Sequence, residues 1–454
     1  MIFKYHISYI LIGDYIVNKT SIIILTYNNL DYTKACIESI RKYTEKNSYE
    51  IIVVDNNSTD DTKEWLLKQD DIKTILNDEN LGFPRGCNQG IEKSLSNNDI
   101  LLLNNDTIVT SNWLNNLKTC LYSNKNIGAV GAVSNHNENL QGVDFTYNDL
   151  DEMQKLAKRN NISNSDKWEE KNFLIGFCLL IKREVINKIG SLDCAYSPGY
   201  IEDNDLSLKI ISLGYKLMLA HDSFIHHYLG TAFRKDLDEF YKVLYKNRKY
   251  FYNKWGFDTF SFDDIKDASI KILDNPKKVL DINSSIGTTI LKIKYLFPDC
   301  IIEGVESNTH KRKISSKFAT IYNSLEEIGD NIYDFILIGN LLENVDNPTI
   351  MINRLKKILN KGGYIIGEIE NIASIENIKL LLEDTWFYKH NKNNYYTISD
   401  IIKMFRELGF NNEYVFSWYK KLDPEEKRIQ AFLNEVSFEK LPITYYSFRF
   451  QKCE

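Results

Sequence analysis

Short, wholly apolar runs recur along the chain. Each ends in polar residues and gives way to a stretch with apolar positions at helical spacing. "SIIIL" (21–25), "EIIVV" (50–54), "IKTIL" (72–76) and "DILLL" (99–103) read as strands buried on both faces. "LDYTKACIESIRKYT" (30–44), "TDDTKEWLLKQ" (59–69) and "RGCNQGIEKSLS" (85–96) read as the helices between them, the second opening on a Ser/Thr/Asp cap. This alternation predicts an α/β unit on a parallel sheet with both faces covered. The rhythm restarts near residue 263. "KKVLDI" (277–282), "IIEGVE" (301–306), "YDFILIG" (333–339) and "YIIGEIE" (364–370) are the second set of strands. "TIMINRLKKILNKGG" (349–363) reads as a helix with Gly362 and Gly363 at a left-handed C-cap. The expected organisation is an extension over 1–19, a first unit over 20–256, a linker over 257–264 and a second unit over 265–454.

Composition narrows the class. At 454 residues, a rule of about 100–200 residues per domain allows two to four domains. The formal net charge of -6 argues against a nucleic-acid partner held mainly by charge. Seven scattered cysteines without a C-x-x-C fit neither a disulfide framework nor a zinc site, and point to a reducing cytoplasm. The first 19 residues are apolar but broken by Lys4, His6 and Asp14. They read as neither a membrane span nor a signal peptide, leaving peripheral membrane contact open.

The polar strand ends carry the chemistry. In an open parallel sheet, ligands bind beyond the carboxyl ends of the strands. Thr26-Tyr27-Asn28-Asn29, Asp55-Asn56-Asn57-Ser58, "NLGFPRGCNQG" (80–90) and Asn104-Asn105-Asp106 follow the four strands in turn. Gly82, Gly86 and Gly90 are expected to let backbone approach a ligand closely. Asp55 could accept hydrogen bonds from a ribose or a base. Asp106, a lone carboxylate among amides, suits Mg²⁺ or Mn²⁺, which take remaining ligands from phosphates and water, better than Ca²⁺. Further on, Glu202, Asp203 and Asp205 crowd one helix start, where the dipole favours their ionised forms. A carboxylate there could take a proton from an attacking hydroxyl, and a neutral His226 or His227 could complete a metal site.

These segments, with "FLIGFCLLIKREVINKIGSLD" (173–193), "YIEDNDLSLKIISLGY" (200–215) and "KNRKYFYNKWG" (246–256), resemble in order and spacing the GT-A family 2 glycosyltransferases, closest to the bacterial rhamnosyltransferase-like branch. The resemblance implies inverting transfer from a dTDP- or UDP-sugar, rhamnose being one candidate, to a glycan or glycoprotein acceptor. Cell-surface glycans and flagellin are plausible destinations by analogy. Thr26, Tyr27, Asn28 and Asp55 would hold the nucleotide, and Gly82, Phe83 and Asn88 would line the donor. Asn104-Asn105-Asp106 would occupy the metal-binding D-x-D place with Asp106 as retained ligand. Asp203 would be the general base, Glu202 would assist with the acceptor, and His227, with His226 a near equal, would join the metal.

The second unit resembles the class I S-adenosylmethionine-dependent methyltransferases, with a Rossmann-like fold. The likeness rests on "KKVLDINSSIGTT" (277–289), "IIEGVESN" (301–308), "YDFILIGNLLENVDNP" (333–348), "LNKGGYIIGEIENI" (359–372) and "YYTISDIIKMFRELGF" (395–410). It implies a cofactor held by Asp281, Asn283, Gly287, Glu306 and Asn340. Asn283 and Ser285 stand where two glycines are usual, and Asn344 where a histidine is. Glu343, His390 and Glu368 are candidate bases for methyl transfer. Two other readings remain: a degenerate second unit that docks an acceptor or partner, and a catalytically silent scaffold.

Overall fold

The computed structural model describes residues 9–12, 15–136, 141–228, 237–382, 392–424, 426–428 and 442–453. His390 lies outside the described residues. The chain divides into two compact units between Asp263 and Asp264.

The first unit opens on a hairpin, β1 (Tyr9–Ile12) against β2 (Tyr15–Asn18), in the segment expected to be a plain extension. There follow β3 (Thr20–Thr26), α1 (Leu30–Tyr43), β4 (Tyr49–Asp55), α2 (Thr62–Leu66), β5 (Ile72–Leu76), α3 (Phe83–Lys93), β6 (Asp99–Asn104), β7 (Thr107–Ile108) and α4 (Trp113–Ser123). Next come β8 (Ile127–Ser134), α5 (Leu150–Asn160), β9 (Trp168–Lys171), β10 (Cys178–Ile181), α6 (Arg183–Ile189), α7 (Glu202–Ser212), β11 (Lys216–His227) and α8 (Leu237–Trp255). The sheet runs β5-β4-β3-β6-β10-β8-β11-β7, with β9 beside β11. Strands β3 to β6 are mutually parallel, and β10 is antiparallel to β6 and β8. The Ile/Val/Leu runs are buried on both faces, as a helix-covered parallel sheet requires. Register sets Thr26 level with Asp55 and Leu25 level with Asn104, so the polar ends meet on one rim.

The glycines of α3 act differently from expectation. A Cβ on Gly86 would lie 2.2 Å from Leu25 Cδ1, and one on Gly90 would lie 2.4 Å from Ile23 Cγ2. These two let α3 press onto β3, and their contact is the sheet rather than a ligand.

In the second unit the strands are β12 (Lys278–Ile282), β13 (Ile301–Val305), β14 (Thr320–Tyr322), β15 (Tyr333–Gly339), β16 (Leu359–Glu370), β17 (Phe410–Tyr419) and β18 (Ile443–Lys452). The sheet order is β14-β13-β12-β15-β16-β18-β17. The first five strands are parallel, β18 is antiparallel to β16, and β17 is antiparallel to β18. A separate apolar core, including the stacked Phe405 and Phe450, fills this unit. The helix Pro348–Lys357 ends before the glycine pair, which falls inside β16 with Gly362 at φ 70°. The pair therefore kinks a strand where a helix cap was expected.

Candidate active site

At the rim of the first unit, Asp55 is buried and both its oxygens accept from the backbone N–H of Ser58 (3.2 and 3.3 Å), with the Ser58 hydroxyl bound as well. Burial raises its pKa. Asn28, in the left-handed region at φ 58°, accepts from the Thr59 N–H at 2.8 Å and donates its own N–H to Ser58 Oγ at 2.7 Å. Asparagine tolerates that conformation well. Tyr27 is exposed beside it. Thr26 and Asn105 are brought together, but they bond each other (3.3 Å) and Thr33 (2.9 and 3.0 Å) beneath the rim. This polar cluster links the tips of β3 and β6. The Asn88 amide donates to Leu192 O (2.9 Å) and accepts from Leu192 N–H (3.0 Å), tying α3 to the 192–194 turn. A mesh in which Asn56 binds Asn77, Asn80 and the Gly82 carbonyl was not foreseen from the residue pattern.

Asp106 follows β6. The short β7 then pairs with the end of β11, with Thr107 opposite His227, and this sets Asp106 beside that histidine. Asp106 Oδ1 and His227 Nε2 are 3.1 Å apart and both residues are buried. The Asn104 amide lies 3.5 Å from the same ring nitrogen. Asn135 clamps the His227 backbone, accepting from its N–H (2.8 Å) and donating to its carbonyl (3.3 Å). Strand alternation turns His226 to the other face, where Nδ1 meets Tyr147 Oη at 2.6 Å. Burial, then His136 and His227, push the His226 pKa down to about 4. Of the two histidines, His227 is the one that faces Asp106.

Glu202 and Asp203 open α7. The two residues before the helix pair, Tyr200 and Ile201, are left-handed at φ 72° and 75°. That is a strained state, and for a β-branched residue a true outlier. Asn247 of α8 holds it, with its buried side-chain amide donating to the carbonyls of Tyr196 (2.8 Å), Gly199 (2.7 Å) and Tyr200 (3.1 Å). Gly82, at φ 80°, presses on the same loop. A Cβ there would lie 2.5 Å from Pro198 Cα, and the Phe83 N–H donates to Pro198 O at 2.7 Å. So Gly82 and Phe83 meet the loop before α7 directly. Asp203 Oδ2 accepts from the Gly176 N–H at 3.3 Å. Burial raises the pKa of both carboxyls, and the charge of Asp203 raises Glu202 further. Glu202 Oε2 is buried without a hydrogen-bond partner. Asp205 belongs to the framework: it pairs with Lys254 (2.7 Å) and accepts from Trp255 Nε1 (2.8 Å).

One segment joins the two halves of this site. Gly176 holds Asp203, while the next residue, Phe177, accepts the Asn104 N–H at 2.9 Å and stacks its ring on His227 (centroids 5.2 Å, 13°). Asp203 and the Asp106–His227 pair are thus two residues' reach from a shared strip of backbone.

In the second unit, the loop after β12 is left-handed at Asn283 (54°), Ser285 (51°) and Gly287 (89°). The two glycine replacements adopt the conformation a glycine would supply. Asp281 is fully buried and pairs with Lys266 at 2.7 Å, and Lys266 also donates to the Asn283 carbonyl at 3.2 Å. Burial works against the Lys266 charge, but the Asp281 carboxylate outweighs it and raises its pKa. Asp281 thus lies against a buried lysine at the tip of β12. Glu306 accepts from the N–H groups of Ser285 (3.0 Å) and Asn308 (2.7 Å). Asn340 is exposed at the tip of β15. Glu343 is engaged by Lys392 (2.9 Å) and the Glu370 N–H (3.1 Å), and Glu368 by Ser269 (2.8 and 3.1 Å), so neither is a free base.

Residues 21–190 match the glycosyl transferase family 2 model, and residues 252–415 match a methyltransferase domain model. The chain carries a family 2 glycosyltransferase domain and a methyltransferase domain. Similar curated proteins are the glycosyltransferase AglE of Haloferax volcanii (26% identical, covering 44% of this chain and 64% of that one) and the glycosyltransferase GlyG of Streptococcus pneumoniae serotype 4 (28%, 45% and 68%). The chain spans less than two thirds of the length of AglE and just over two thirds of that of GlyG. Among solved structures, the chain is similar to the mannosyltransferase PcManGT from Pyrobaculum calidifontis in complex with GDP-Man and Mn2+ (17% identical, TM-score 0.36, covering 47% of this chain and 58% of that one).

The glycosyltransferase domain is GT-A-like and the methyltransferase domain Rossmann-like. Among the described residues, no group of three or more His, Cys, Asp and Glu converges on a metal position. The glycosyltransferase domain instead offers one carboxylate and one imidazole at 3.1 Å, a donor set that fits Mg²⁺ or Mn²⁺ completed by phosphate oxygens and water. The methyltransferase loop fits a cofactor ending in a carboxylate, because the Lys266 ammonium sits beside it. Lys266, Asn135 and Asn247 were missed in the sequence, since nothing local distinguishes them from surface residues.

Proposed function

We propose that the glycosyltransferase domain performs inverting transfer from a dTDP- or UDP-sugar to a glycan or glycoprotein acceptor, and that the methyltransferase domain methylates that glycan. The observation that carries the first half is the Gly176–Phe177 strip, which ties Asp203 to the Asp106–His227 pair. Asp203 takes the proton of the acceptor hydroxyl as that oxygen attacks the anomeric carbon from the face opposite the nucleotide. The new C–O bond forms while the bond to the diphosphate breaks. General-base help of this kind contributes about 10²–10⁴-fold. Asp106 and His227 would hold a divalent cation, which when bound offsets charge on the leaving diphosphate. Asp55 and Asn28 line the nucleotide end, and Glu202 orients the acceptor. Rhamnose is one candidate sugar, on the strength of the branch resemblance. A cell-surface glycan and a cytoplasmic site of action complete the reading.

In the methyltransferase domain, Lys266 would face the cofactor's carboxylate and Glu306 its ribose hydroxyls, using lone pairs left by the two N–H groups. S-adenosylmethionine, when bound, supplies the methyl group. A single-activity reading, with this domain as a docking module, is favoured by one observation: the Lys266–Asp281 pair is already satisfied within the fold.

The deciding experiment is Asp203→Asn. Sugar transfer is expected to fall about 10²-fold or more while UDP or dTDP binding stays unchanged. Wild-type turnover in that variant would reject Asp203 as the base.

A further inference from the structure

Helix α8 has two faces with different work. Its inner face carries Asn247 and Phe251, both fully buried, and through Asn247 it holds the strained loop before Asp203. Its outer face is unusual for a soluble helix. Leu237, Tyr241, Tyr245 and Tyr252 are 59%, 62%, 73% and 54% exposed. At about 100° per residue the three tyrosines fall within about 40° of arc, one ridge along the helix. Arg248 borders the ridge on one side and lies 3.9 Å over the ring of Phe260, itself 64% exposed, which widens the aromatic strip. Lys249, Lys242 and Lys246 follow on the other side, at about 80–140° around the helix. The first turn carries Asp238 and Glu239, and Glu239 lies 4.0 Å from Lys242. Beyond that turn the row is basic, in a chain whose net charge is -6.

We propose that this ridge is an interfacial docking surface for an anionic lipid bilayer. Tyrosine suits the headgroup level, with an apolar ring and a wet hydroxyl, and the lysine row beside it matches anionic headgroups in charge. Charge also argues against a second copy as the occupant, because a two-fold contact would bring an identical lysine row towards itself. No described helix is long and apolar enough to cross a membrane, so the contact is peripheral. The inference rests on the glycosyl-transfer reading for its consequence: a helix lying on the bilayer would present the Asp203 loop, braced by its other face, to an acceptor carried on a membrane lipid.

The test is co-sedimentation of the full chain with phosphatidylcholine vesicles, with and without phosphatidylglycerol, at two salt concentrations. Wild type is expected to pellet with the anionic vesicles and to be released by salt. Tyr241→Ser/Tyr245→Ser/Tyr252→Ser is expected to weaken that binding about tenfold or more, and Lys242→Gln/Lys249→Gln to weaken it at low salt only. Retention of a UDP–Mn²⁺ thermal shift in both variants shows that the fold and nucleotide site survive. Wild type that ignores anionic vesicles overturns the inference, as does a triple variant that binds them equally well. A concentration-dependent dimer that the tyrosine changes abolish, without vesicle binding, overturns it in favour of self-association. Loss of the nucleotide response in wild type would instead strike the glycosyl-transfer reading, so the two failures are distinguishable.

Discussion

Glu202 and Asp203 are adjacent carboxyls that burial pushes in the same direction, both upward. A carboxyl whose folded pKa is raised binds its proton more tightly folded than unfolded. Stability then falls as pH climbs from the unfolded value through the raised one, and the full cost is present above it. Glu202→Gln removes one of these buried charges, and its Oε2 has no partner to lose. The variant is expected to be more stable than wild type at pH 8, by about 1–3 kcal/mol, and indistinguishable near pH 4. Calorimetry across that range checks it, and a difference independent of pH would reject a raised Glu202. Catalysis moves the opposite way. As the proposed base, Asp203 would act only when ionised, so the acid limb of the rate profile is expected to lie above the ordinary carboxylate range, and Asp203→Asn should erase that limb together with most of the rate. The position of these two residues at a helix start could be read from the sequence. The enclosure of Asp203 could not, because Gly176, which packs against it and donates to it, lies 27 residues earlier in the chain.

Among the elements, α8 shows how a distant helix can set catalytic geometry. Tyr200 and Ile201 hold left-handed conformations costing about 1–3 kcal/mol each, so something must over-determine the loop. Asn247, with three carbonyls on one amide, is the visible restraint. Asn247→Leu, close to it in size, is expected to lower kcat about 10–100-fold while leaving nucleotide affinity within about twofold, since a displacement near 1 Å at the base has that order of effect. Equal losses in both would mean the helix supports the whole fold instead. The strand runs and their parallel order were legible because Ile, Val and Leu fill β3, β4 and β6 without interruption, a pattern that few other structures bury. The role of Gly86 and Gly90 was not legible, because a glycine's purpose depends on what lies opposite, here Leu25 and Ile23. The glycine pair at 362–363 misled for a related reason: a left-handed glycine marks a bend equally well after a helix and inside a strand. The α1 to α3 helices, by contrast, follow from apolar spacing and, for α2, a polar cap.

At the scale of the molecule, the chain holds two apolar cores on two sheets, parted between Asp263 and Asp264. Each unit carries its own set of proposed ligand residues: Asp55, Asp106 and His227 in one, Lys266 and Glu306 in the other. A ligand that binds only folded protein stabilises the unit it binds, by about 2.7 kcal/mol at a hundredfold excess over its Kd. UDP or dTDP with Mn²⁺ should therefore raise the melting of the glycosyltransferase domain, and S-adenosylmethionine that of the methyltransferase domain. Variants separate the two responses. Asp106→Asn is expected to lose the metal-dependent nucleotide shift and keep the S-adenosylmethionine shift, while Lys266→Met does the reverse. Lys266→Met also leaves Asp281 buried without its cation, so a lower melting point without ligand is expected, of about 3–5 kcal/mol in stability. A methyltransferase domain that ignores S-adenosylmethionine in the wild type, alongside an intact nucleotide response, would leave the Lys266–Asp281 pair as a closed internal contact and the chain as a glycosyltransferase with a docking module.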